Sequence, residues 1–337
     1  MKAIKYMLFA AMAAIIMSSC EKVSPIGVLV AGTAVEDRVK MSHSYFNQYK
    51  NEFDFKVVEN EYTFLVGADS HLTTDPGRMD EMLKIGLDDD DLFYCHLGDI
   101  ADTKPEYYIT LDSLLEKAKE RYIAKYYGTN SNGYYYPLYD QEDAEIYSYT
   151  EDLISYPFFP VVGNHDITHN GWALWSNIFH SSFYEFPIFV DDDNGNEYID
   201  RFIFLDSASG TLGRTQIDLI EAGVLDGDNG INYRHTFVFG HTNIFRPSSM
   251  EFASTFSREE TFFLLNQFEK WNASGVFCGH VHKYDERLFN NVAYITLDSM
   301  SERNSPEPGD YLVRVTVKSD GSWYWEPVHM SYVAPKK

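Results

Sequence analysis

The chain has 337 residues, 45% of them apolar, enough for a substantial core in one or two domains. A net charge of −24 sets a mean field that repels polyanions, and no basic patch offsets it, so nucleic acid is not an expected partner. Aromatic content of 16%, including 25 tyrosines, points instead to extended, partly exposed aromatic surface.

The first twenty residues are a separate object. Lys2 and Lys5 precede an apolar stretch from Tyr6 to Met17, which runs into Met17-Ser18-Ser19-Cys20. Length and flanks fit an exported signal peptide rather than a spanning helix. Small residues directly before a cysteine resemble the bacterial lipoprotein cleavage box, with Met17 where Leu is usual. The resemblance implies a lipidated Cys20 as the new N-terminus and a place on the bacterial cell envelope. Glu21-Lys22 differs from the inner-membrane retention signal, which favours the outer membrane. Plain secretion with an incidental cysteine is the alternative. Stable anchoring at Cys20 needs more than one acyl chain.

Residues 21–60 read as tether and N-terminal edge, with a short amphipathic helix over Asp37–Tyr49. The main domain is expected over 61–337, where β-rich runs end in polar motifs. Tyr62–Ala68 ends at Asp69, Asp91–Leu97 at Gly98-Asp99, and Phe158–Val162 at Gly163-Asn164. Arg201–Leu205 ends at Asp206, His235–Phe239 at Gly240-His241, and Gly275–Cys278 at Gly279-His280. Val292–Leu297, Tyr311–Val317 and Trp323–His329 are further strands, the last two a hairpin across Lys318–Gly321. Helices fall between, at Gly77–Leu87, Ile109–Tyr126, Arg214–Gly223 and Ser257–Trp271, the last opening on a capping-box signature. Strands alternating with helices imply a layered α/β domain, with ligands at the C-terminal ends of its strands. Residues 127–157, rich in tyrosine with an acidic middle, break the rhythm as an insertion. It reads either as an ordered rim beside a site or as an acidic loop.

Cys95 and Cys278 each close an apolar run. Two buried thiols is the simpler reading, and a disulfide in an oxidising compartment is the alternative.

Five motifs carry the chemistry: Asp69-Ser70-His71, Gly98-Asp99-Ile100-Ala101-Asp102, Gly163-Asn164-His165-Asp166, Gly240-His241 and Gly279-His280-Val281-His282. Carboxylates, an amide oxygen and imidazoles together suit two divalent ions of the Mn, Zn or Fe kind, whereas carboxylates alone suit Mg or Ca. Asp69 and His71, like His280 and His282, are spaced i and i+2, which would turn both members of a pair to one side of a strand end.

The set resembles the calcineurin-like metallophosphoesterase superfamily, whose pattern D-x-H, G-D-x-x-D, G-N-H-[DE], G-H, G-H-x-H is filled in order over Gly67–His282. The resemblance implies a four-layer αββα sandwich. Asp69, His71 and His282 would hold one ion, Asp99 would bridge, and Asn164, His241 and His280 would complete the second. It implies a binuclear phosphoesterase that hydrolyses small phosphate mono- or diesters through a metal-bridging hydroxide. His165 would assist the leaving group, oriented by Asp102.

Simpler readings stand beside these. Asp102 is alternatively a helix or turn cap, and Asp166 reads as a turn-former or supporting partner rather than a ligand. His96 is expected to face the core, and His169 and Arg246 to reach either the site or solvent. Thr103 stands where the superfamily's serine/threonine phosphatases carry an arginine, and Asp102 where purple acid phosphatases carry a tyrosine. The competing function is a surface-tethered metal- or ligand-binding lipoprotein without turnover.

Overall fold

The computed structural model describes residues 33–49, 58–59, 61–138, 149–192, 195–223, 231–245 and 256–334. In chain order these form helix α1 (Val35–Tyr49), strands β1 (Val58–Glu59) and β2 (Tyr62–Gly67), helix α2 (Gly77–Asp88), strand β3 (Phe93–His96) and helix α3 (Pro105–Tyr126). A hairpin of β4 (Tyr127–Thr129) and β5 (Tyr135–Pro137) precedes β6 (Phe158–Pro160), the single-turn α4 (Asn164–Ile167) and α5 (Gly171–Phe179). Then come β7 (Tyr184–Asp191), β8 (Glu197–Phe204), α6 (Gly213–Glu221), β9 (His235–Phe239), α7 (Arg258–Lys270) and β10 (Gly275–Cys278). Strands β11 (Asp285–Phe289), β12 (Val292–Thr296), β13 (Gly309–Val317) and β14 (Trp323–Met330) close the chain.

Strand alternation sorts the core into layers. Phe64 on β2, Phe93 on β3, Phe202 and Phe204 on β8, Phe237 and Phe239 on β9, and Phe277 on β10 all point into one aromatic core between two sheets. Their neighbours point the other way. Leu65 and Tyr94 meet the helix layer of α2 and α3, while Ile203, Val238 and Val276 meet that of α6 and α7. Two sheets between two helical layers make the expected αββα sandwich. One sheet runs β1-β7-β8-β9-β10-β12-β11 and the other β14-β13-β2-β3-β6. The same alternation separates the thiols. Cys95 lies in the core between the sheets and Cys278 under the outer helices, and both are free.

Local signals set most boundaries. Pro105 starts α3 where no intrahelical N–H is needed, and Ser257 Oγ caps α7 by accepting from Glu260 N at 3.1 Å. α1 is bound into the body. Its Glu36 accepts from the first free amides of α6, and the wholly buried Arg38 pairs Asp206 at 2.9 Å after β8.

Seven elements have no counterpart in the sequence reading: β1, β4, β5, β7, β11, α4 and α5. β7 carries Pro187, which argues against a central strand. Among the described residues β1 pairs only Val190 and Asp191, so Pro187 lies beyond that short ladder and has β8 as its one described neighbour. β11 is a charged, exposed edge strand with no apolar period, and α4 and α5 follow directly on the third motif. In the insertion, β4 and β5 form an ordered hairpin; residues 139–148 lie outside the described residues. So do the segment 1–20, Cys20 and Arg246. Among the described residues no helix is long and apolar enough to cross a membrane.

Candidate metal centre

The motif residues leave their strands before they meet. β2 ends at Gly67, and Asp69 and His71 then adopt φ of 52° and 44°. Asp99 (52°), His280 (72°) and His282 (51°) share this left-handed backbone, which side chains other than glycine rarely adopt. The i, i+2 pairs therefore converge through strained turns, and the expectation of strand alternation at these positions is corrected. Strain held at a cluster of polar groups is typical of functional sites.

Each turn also needs its glycine. A Cβ on Gly163 would overlap Asp99 N and Oδ1, and one on Gly98 (φ 88°) would lie 2.7 Å from His241 Nδ1. The second and third motifs pack backbone against backbone, and the His241 ring of the fourth lies against Gly98.

The nine candidate residues come together. One ligand atom each from Asp69, His71, Asp99 and His282 lies within 4.8 Å of the others, and so do atoms of Asp99, His241 and His280. Asp99 belongs to both groups, its Oδ2 3.8 Å from His71 Nε2 and 3.6 Å from His241 Nε2. Its Oδ1 is fixed by His165 N at 2.7 Å. Asn164 Oδ1 lies 2.9 Å from His241 Nε2, and His280 Nδ1 lies 3.1 Å from the same nitrogen. His241 Nδ1 is 2.8 Å from the Leu97 carbonyl, which fixes the proton there and leaves Nε2 basic.

The donor set fits cations. Asp69 Oδ2 accepts from His280 N at 2.8 Å, while its buried Oδ1 has no hydrogen-bond partner and faces His282 Nε2 at 3.3 Å. An uncompensated buried carboxylate oxygen is costly, and a cation there satisfies it. Burial would raise the Asp69 carboxyl, but the adjoining imidazole of His282, followed by His241 and His71, outweighs it and holds the group ionised. Asp99 is likewise held low against its burial, by His241, His165 and His71. Burial and neighbouring His241 bring His280 down to about 4, keeping the ring neutral.

Asp102 has a wider role than its sequence position suggested. Its Oδ1 lies 3.1 Å from His71 Nδ1 and 3.3 Å from His165 Nδ1, and its Oδ2 accepts from Arg303 Nη2 at 2.7 Å. One carboxylate thus orients a ligand imidazole and the candidate acid together, and the helix-cap alternative is not seen. Hydrogen bonds from His165, His71 and Arg303 overcome burial and hold Asp102 well below the usual carboxylate range. Burial would lower His165, yet the charges of Asp99 and Asp102 raise it to about 9 in the metal-free chain.

Asp166 is a supporting clamp. Its buried carboxylate accepts from the backbone of Gly163 (2.8 Å), Ile100 (3.1 Å) and Ala101 (3.2 Å) and from the Tyr108 hydroxyl (3.2 Å). Thr103 Oγ1 adds a bond to the His165 carbonyl at 2.6 Å. His96 is buried on its strand, and His169 is exposed.

Sequence reasoning missed the loop after β12. Ser299 Oγ donates to the Asp69 carbonyl (2.8 Å), Asn304 lies 3.0 Å from His282 Nδ1, and Arg303 reaches Asp102. No glycine or motif spacing marks this stretch. Ser207, whose Oγ accepts from His241 N at 2.8 Å, is equally silent in sequence. Two residues past His282, Tyr284 borders a cavity of about 320 Å³ whose wall includes Asp298 and Tyr311.

No family model and no curated protein matches the chain. Among solved structures it is similar to the inner-membrane-complex anchor GAP50 of Plasmodium at 14% identity and a TM-score of 0.47, covering 82% of this chain and 90% of that one. It is similar to a dimetal phosphatase from Danio rerio (10% identity, TM-score 0.44, 80% of this chain and 99% of that one). A putative 5'-nucleotidase from Staphylococcus aureus matches at 11% identity and a TM-score of 0.43, over 82% of this chain and 55% of that one. In its motifs, its layers and its clustered side chains, the chain resembles the calcineurin-like metallophosphoesterases.

Proposed function

We propose that the chain is a binuclear metal-dependent phosphoesterase acting on small phosphate mono- or diesters. The observation that carries the reading is Asp99, one carboxylate common to two convergent groups of imidazoles and carboxylates. Asp69, His71 and His282 would hold one ion, Asn164, His241 and His280 the other, with Asp99 between. Ions so held supply an activated water and neutralise phosphoryl oxygens.

The chain's own groups do the rest. His165 projects beside His71, their rings 4.7 Å apart and nearly perpendicular, and its Nε2 would give a proton to the departing alkoxide. Asp102 accepts a hydrogen bond from the other ring nitrogen and holds the imidazolium in one orientation. The buried clamp of Asp166 keeps the second and third motifs in register, so the acid and the shared carboxylate move as one body. Positioning and charge are the main contributions expected in phosphoryl transfer.

The reading extends to a lipid anchor at Cys20 and an envelope location, supported by the N-terminal sequence. Labelling with a clickable palmitate analogue, lost in Cys20→Ser, tests it.

The activity test is hydrolysis of p-nitrophenyl phosphate and bis-p-nitrophenyl phosphate by the full chain, with Mn²⁺ or after chelation. Metal-dependent turnover of either supports the proposal. Two bound ions with no turnover of either would favour the non-catalytic binding lipoprotein.

A further inference from the structure

We infer that Arg303 is the recognition residue for the phosphoryl group and selects phosphate monoesters over diesters, an inference that rests on the proposed phosphoesterase reading. Among the described residues Arg303 is the one Arg or Lys side chain bonded to a carboxylate of the cluster. Only one of its nitrogens, Nη2, is used, in the 2.7 Å bond to Asp102. Its side chain is 50% exposed, so the guanidinium keeps solvent access while it is bonded to the cluster.

Its placement is fixed from both sides. Ser301 Oγ accepts from Arg303 N at 3.3 Å, and the next side chain, Asn304, lies against the ligand His282. Asp102 grips the guanidinium from the opposite wall, between His71 and His165. The planar fork therefore sits where two of its edges differ in task. One edge is held by a carboxylate, and the other is open to a second anion, the geometry in which guanidinium suits phosphate better than ammonium does.

Charge argues for the dianion. The cluster holds three carboxylates, Asp69, Asp99 and Asp102, and set against their formal charge two divalent ions would leave a single net positive charge. That balances a diester monoanion. A monoester dianion carries one more negative charge, and Arg303 supplies the matching cation at the cluster. A diester also places a second alkyl group on the oxygen that would meet the guanidinium.

The test compares wild type, Arg303→Met and Arg303→Lys, each with Mn²⁺ content verified, on p-nitrophenyl phosphate and bis-p-nitrophenyl phosphate. The expected result for Arg303→Met is a loss of roughly 100-fold in monoester kcat/KM, mostly in KM, with a diester loss at least tenfold smaller. Arg303→Lys should restore part of the monoester rate. Calorimetry with inorganic phosphate gives a second readout, in which Arg303→Met should weaken Kd by about tenfold or more. Equal losses on both esters with unchanged phosphate affinity would overturn the inference and leave Arg303 as a prop for Asp102. Repeating the change in an Asp102→Asn background separates the two roles. A monoester loss that persists there supports direct recognition, and a silent change contradicts it. Wild type inactive on both esters would instead count against the underlying phosphoesterase reading.

Discussion

At the scale of single residues, the site is a set of conflicts that a bound cation would resolve. Buried carboxylates, an orphaned oxygen on Asp69 and five ligand residues in left-handed backbone each cost stability on their own. Gly163 shows how little room the arrangement has, because any Cβ there meets Asp99. Gly163→Ala should shift the shared carboxylate, lowering Mn²⁺ affinity by about tenfold or more while the circular dichroism spectrum stays folded. His165→Ala removes no candidate ligand atom and leaves the His165 N–H bond to Asp99 in place. It should keep its Mn²⁺ content and slow hydrolysis by about 10²-fold for poor leaving groups, less for nitrophenolate. Equal losses across leaving groups would remove the acid role from His165. Asp102→Asn should differ from it by weakening metal retention as well, through His71.

At the scale of elements, the five motifs were legible because each is short, local and punctuated by glycine. The strand runs were legible because two-residue alternation fed one aromatic core. What stayed hidden had no local sign. β7 was masked by Pro187, β11 by its charges, and the Ser299–Asn304 loop because its contacts with Asp69, Asp102 and His282 come from more than 200 positions away in sequence or from no recognised spacing. The Arg38–Asp206 pair is another such contact, and it ties α1 to the end of β8. Arg38→Met leaves Asp206 buried with only Ser182 as a charge-compensating donor from a side chain, so a loss of about 3–5 kcal/mol in urea unfolding is expected. A loss under 1 kcal/mol would mean that α1 is not part of the cooperative unit.

At the scale of the whole molecule, a buried histidine contributes to the acid limit of the metal-free fold. His96 packs near Phe158, neither ring nitrogen has a hydrogen-bond partner, and burial lowers it to about 3 from an ordinary value of 6.5. The folded chain thus binds this proton less readily than the unfolded chain. Its contribution is complete above about pH 6.5 and is lost as pH falls towards 3. Melting temperature of the chelated protein should fall across that window, and His96→Leu should flatten part of the fall. An unchanged slope in the variant would assign the acid loss to other groups.

The central claim is that two cations share Asp99, and ion counting tests it most directly. Chelated full-length chain is titrated with Mn²⁺ by calorimetry, and bound metal is confirmed by elemental analysis, for wild type and Asp99→Asn. The account predicts two ions per chain in the wild type, and weakening of both in the variant because one residue serves both groups. A single ion in the wild type, or a variant that loses one ion and keeps the other at full affinity, would contradict it.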